Sequence, residues 1–77
     1  VSALKFKVLD VRPILARGAD PFPQIRAKVA RLTSEQGLTV IAPFLPAPLI
    51  EVLRSEGFSS APEHRSDGSW AVNFWRE

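Results

Sequence analysis

Asp20-Pro21-Phe22-Pro23 constrains what this chain can fold into more than any other four residues. Two prolines one residue apart remove two backbone donors and hold φ near the helical value, so they suit the first turn of a helix. Asp20 in front supplies a carboxylate for the donors that remain, and Phe22, Ile25, Val29 and Leu32 then recur at helical spacing. This pattern predicts a helix from about Pro21 to Thr33, with Asp20 as its N-cap and Gln24, Ala27, Lys28 and Arg31 on the opposite face. Ser34-Glu35-Gln36-Gly37 is expected to stop it, with Gly37 in left-handed backbone.

The rest of the chain arranges itself around that helix. Lys5-Phe6-Lys7-Val8 alternates and runs on through Leu9-Asp10-Val11, a first strand. Residues 12–20 follow neither period and read as a long loop, a kind of connection that often carries function. Leu38-Thr39-Val40-Ile41-Ala42 is β-branched and reads as a central second strand, followed by a turn at Pro43-Phe44-Leu45-Pro46. A second helix from about Ala47 to Glu56 buries Leu49, Ile50, Val52 and Leu53, and Gly57 closes it. A final hairpin pairs Phe58–Arg65, demoted to an edge by Pro62, with Trp70–Trp75 across Ser66-Asp67-Gly68-Ser69. Trp70, Val72 and Phe74 are expected to face the core. The order β-α-β-α-β-β implies a two-layer α/β (α+β) sandwich in which a four-stranded mixed sheet carries both helices on one face and leaves the other open.

Seventy-seven residues make one domain, 1–77, with a modest core. No cysteine is present, which excludes disulfides, thiolate metal sites and thiol catalysis, and fits a reducing cytoplasm. No apolar run approaches the ~18 residues of a membrane span, and Val1-Ser2-Ala3-Leu4-Lys5 does not read as a secretory signal. Charge is unevenly spread: residues 1–33 hold seven Lys/Arg against two Asp, residues 34–77 three Arg against six Asp/Glu. A basic field of this kind can attract RNA or an acidic partner, or serve only to solvate a helix face.

The element order, Leu9-Asp10-Val11-Arg12 at the end of the first strand, and the helix openings Pro21-Phe22-Pro23 and Pro46-Ala47-Pro48-Leu49 resemble the TusA-like sulfur-carrier superfamily. Gly57-Phe58 and Gly68-Ser69-Trp70-Ala71-Val72-Asn73-Phe74 extend the resemblance over residues 9–76, closest to an uncharacterised bacterial branch. The resemblance implies a carrier cysteine at position 20, where a helix N-terminus would favour the thiolate. Here Asp20 stands there, without the thiol and without the histidine that the branch often carries, and a carboxylate cannot hold a sulfane sulfur.

Each candidate site residue carries a structural and a functional reading. Asp20, Pro21, Phe22 and Pro23 form either a helix cap or an acidic docking point at the carrier-site position. Asp10 and Arg12 can brace the long loop, or Arg12 and Arg17 can bind an anion beside the helix N-terminus. Lys5, Lys7, Thr39, Ile41, Ala71, Asn73 and Trp75 are expected to share the open sheet face, as a platform for RNA or protein or as a homodimer contact. His64, the only histidine, reads as a surface residue, and neither a metal nor a cofactor is expected. No arrangement of catalytic groups is legible, and a pocket for a drug-sized ligand is difficult to build in so short a chain. These readings lead to a non-catalytic protein-interaction or regulatory module, whose partner is another protein and not a membrane. Nucleic-acid binding through Lys5, Lys7, Arg12, Arg17, Lys28 and Arg31 is the alternative, and a small-ligand or anion binder the next.

Overall fold

Seven elements follow one another along residues 4–76, the part of the chain that the computed structural model describes: β1 (Lys5–Asp10), α1 (Arg12–Ala16), α2 (Phe22–Ala30), β2 (Gln36–Ala42), α3 (Ala47–Ser55), β3 (Phe58–His64) and β4 (Trp70–Arg76). The first three residues of the start discussed above, and Glu77 of the charge balance, lie outside the described residues. The strands form one mixed sheet in the order β1-β2-β4-β3, with β1 parallel to β2 and the other pairs antiparallel.

Pairing register decides which residues meet the helices. Leu38, Val40 and Ala42 of β2 stand opposite Phe74, Val72 and Trp70 of β4. Apart from the half-buried Trp70, these are buried together with Ile25, Val29 and Leu32 from α2 and its end, Leu49 and Leu53 from α3, and Phe58 at the start of β3. All the helices therefore pack on one sheet face, and the expected sandwich is present. Burying each such large apolar side chain contributes about 1.5–3 kcal/mol. The outer layer is tied by charge: Arg26 of α2 reaches Glu56 beyond α3 at 2.7 Å, and Arg76 donates to the Val29 carbonyl near the end of α2 at 3.3 Å. A cation there also suits the negative end of the helix dipole.

Three local expectations are corrected. The long loop of residues 12–20 contains α1, a five-residue helix with proline in its first turn and Ile14 buried. It closes as a Schellman turn: Ala19 N–H donates to the Ile14 carbonyl at 3.1 Å and Gly18 N–H to Leu15 at 2.9 Å, with Gly18 at φ +74°. One turn of helix is too short to show a period, so it was not visible in the pattern.

Gly37 does not cap α2. It lies inside β2 opposite Trp75, and the preceding turn is held instead by Thr33 and Gln36, whose backbone N–H groups exchange bonds with one another's side-chain or backbone oxygens. The helix ends at Ala30, three residues before Thr33, and the strand starts two residues before Leu38.

Lys5 and Lys7 do not lie on the open face. They stand opposite Gln36 and Leu38, on the side that carries the helices, and are exposed because β1 is an edge strand. The open face receives Phe6, Val8 and Asp10 from β1, beside Gly37, Thr39 and Ile41 of β2 and Trp75, Asn73 and Ala71 of β4. Phe6 and Trp75 meet edge to face with centroids 6.3 Å apart, and Thr39 donates from Oγ1 to Asn73 Oδ1 at 2.5 Å. Val8 is 65% exposed.

Candidate functional site: an apolar cleft at the mouths of two helices

The carboxyl ends of the parallel strands β1 and β2 and the amino ends of α2 and α3 converge on one cleft. Its walls come from Val11 and Leu15 around α1, Pro21, Phe22 and Ile25 at the start of α2, Val40 and Ala42 of β2, and Pro46, Leu49 and Val52 of α3. Phe44, 53% exposed, stands in the turn between β2 and α3 beside Leu45, itself 41% exposed. The volume is about 260 Å³. Sites for drug-sized ligands run from about 300 to 1,000 Å³, so the space suits one or two inserted side chains better than a cofactor.

Among the described residues, Asp20 is the only charged one lining this cleft. Its Oδ1 accepts the Phe22 N–H at 3.0 Å, one residue earlier than the N-cap position, which Pro21 occupies. The expected cap contact is present in this shifted form, and Asp20 itself is exposed. The mouths of the two helices lack most of the donors that usually attract anions to such places. Pro21, Pro23, Pro46 and Pro48 have no N–H, the Phe22 amide is taken by Asp20, and the Ala47 amide donates to the Leu45 carbonyl at 2.9 Å. The Asp20 carboxylate itself takes one of the few amides available there and adds a negative charge, which argues against the anion-binding reading.

Asp10 and Arg12 form a brace. The Arg12 backbone N–H donates to Asp10 Oδ1 at 3.0 Å, Nε to the same oxygen at 3.0 Å, and Nη2 to Oδ2 at 2.7 Å. Arg12 Nη1 lies 3.6 Å from Asp67 Oδ2 in the β3–β4 turn, so one guanidinium links the end of β1 to the far hairpin. The hydrogen bond from the Arg12 side chain holds the Asp10 carboxyl below its ordinary value and, reciprocally, raises Arg12. Asp67 is lowered chiefly by the Ser69 hydroxyl, 2.6 Å from its Oδ1. Arg12 is thereby committed to two carboxylates, while Arg17 stays exposed beyond α1.

A depressed carboxylate favours folding above its unfolded pKa of about 3.9 and loses that contribution as pH falls through the lower folded value. Asp10→Asn should therefore flatten the acid side of the stability profile below about pH 4, read by urea unfolding across pH, while leaving the slope above pH 6 unchanged. An acid profile identical to wild type would dismiss the brace.

The remaining candidates are dispersed. Lys28 and Arg31 are exposed on and just after α2, Lys5 and Lys7 edge the helix side of β1, and Trp75 with Ile41 and Asn73 is on the opposite face. The basic residues and the sheet-face aromatic are not brought together. His64, exposed, stacks on Trp70 with centroids 4.6 Å apart. Among the described residues no group of three His, Asp or Glu could hold a metal, and no helix is long and apolar enough to cross a membrane. Sequence reasoning marked Pro21 and Phe22 but missed the opposite wall: Phe44, Pro46 and Val52 were read as turn or core, although two adjacent apolar residues inside a proline-bounded turn were a signal of an exposed apolar rim.

No curated protein and no solved structure shows significant similarity to this chain. Residues 8–76, which span all but the first few residues of the fold and contain every wall of the cleft, match the family described as uncharacterized conserved protein (DUF2249), and the chain belongs to that family.

Proposed function

We propose that this domain is a non-catalytic protein-interaction module, built on a fold of the TusA-like sulfur-carrier kind, which receives one or two apolar side chains of a partner protein in the cleft between α2 and α3. The observation that carries this reading is the cleft itself: apolar walls, a rim that leaves Phe44 about half exposed, and a volume matched to a side-chain anchor. Interfaces commonly concentrate their energy in such central pockets filled by a few anchors. With aspartate at position 20 and no cysteine in the sequence, the domain has no thiol of its own for sulfur transfer.

A pull-down from native lysate after nuclease treatment tests it, with wild-type domain beside Phe44→Ala. A protein retained by wild type and lost with the variant is expected. Material that disappears with nuclease alone would transfer the function to the basic residues and RNA.

A further inference from the structure

The charge of the cleft specifies its occupant more narrowly. Building on the interaction reading above, we infer that the cleft takes a short segment in which an apolar side chain is flanked by lysine or arginine, with the cationic group set against Asp20.

Three observations lead there. Among the described residues Asp20 is the one acidic or basic side chain in the cleft walls, and its Oδ1 accepts the Phe22 amide. The prolines at both helix openings remove backbone donors that would otherwise welcome an acidic group. Arginines on the neighbouring helices are turned to other work: Arg26 lies 5.5 Å from the centre of the Phe22 ring and pairs with Glu56 at 2.7 Å, and Arg12 is bound to Asp10. Arg17, exposed after α1, is not one of the residues that line the cleft. An acidic segment would meet Asp20 with no compensating cation among the walls. A basic one would place its charge at the exposed rim while its apolar neighbour enters the cleft, an arrangement in which charge selects the partner and apolar burial holds it.

The test uses two blocked tetrapeptides, acetyl-Lys-Phe-Leu-Lys-amide and acetyl-Glu-Phe-Leu-Glu-amide, titrated into the whole domain and followed by amide shifts of Phe22, Phe44 and Val52. Asp20→Asn is the paired variant, because an asparagine oxygen can still accept the Phe22 amide. The lysine peptide should bind wild type about three-fold or more tightly than the glutamate peptide, with the difference shrinking in Asp20→Asn and in 0.5 M salt. Equal binding of the two peptides at the cleft, or preference for glutamate, overturns the charge assignment and leaves the cleft as an apolar binding site. Absence of cleft shifts with either peptide overturns the interaction reading as well.

Discussion

Gly37→Val should lower the melting temperature by roughly 10 °C, through a loss of about 2 kcal/mol in a domain of this size. The position lies within a strand, where valine is ordinarily welcome. Here a Cβ would collide with Cε2 and Cδ2 of Phe6 and come within 2.8 Å of the Phe74 carbonyl oxygen. The ring can swing away but the carbonyl belongs to the central strand β4 and cannot. Phe6→Ala in the same chain should therefore recover only part of the loss, since it removes the ring and leaves the carbonyl. A melting temperature within about 2 °C of wild type for the single variant would mean that the two central strands separate more easily than their pairing implies.

Phe44→Ala should do the opposite: leave folding almost intact and weaken partner binding by about 30-fold, the effect of losing an interface anchor of about 2 kcal/mol. Phe44 is more than half exposed and lies outside the buried core, so truncation removes little folding energy. It stands at the rim of the cleft, where an inserted side chain would close against it. Affinity of the captured partner, measured by titration calorimetry beside thermal melts, separates the two effects. A large fall in stability with unchanged affinity would make Phe44 a structural residue and move the binding surface elsewhere.

The sequence-level reading succeeded where hydrophobic periodicity was long. The stripe of Ile25, Val29 and Leu32 and the pair Leu49 and Leu53 are all buried, and Val72 and Phe74 point inward as alternation requires. It failed where two principles competed. In Lys5-Phe6-Lys7-Val8, alternation set two faces but did not say which one met the helices. The answer lay further on, in Leu9, packed against the core, and Val11, buried in it, which share parity with the lysines. An edge strand that runs past its helix layer can expose polar residues on the covered side and apolar ones on the open side. At Gly37 a glycine beyond a helix read as a cap, while its actual requirement is the close approach of Phe6 and β4, a contact between distant segments that local sequence does not contain.

The candidate site was legible in half. Asp20-Pro21-Phe22-Pro23 marked the place, a proline-rich helix opening behind an aspartate. The cleft itself arises only when α2 and α3 open toward the same end of the sheet, which brings Pro46 and Val52 beside Phe22. Asp10 and Arg12, close in sequence, were readable as a brace; the reach of Arg12 to Asp67 depends on the sheet order that sets β4 beside β2.

On the interaction reading proposed above, the cleft, and not the open sheet face, meets a partner protein. A photo-crosslinking amino acid placed in the native cell at position 44, and separately at position 8 on the open face, distinguishes the two surfaces. A protein adduct is expected from position 44 that position 8 does not give. Adducts from position 8 alone, or adducts to RNA from either position, would contradict it.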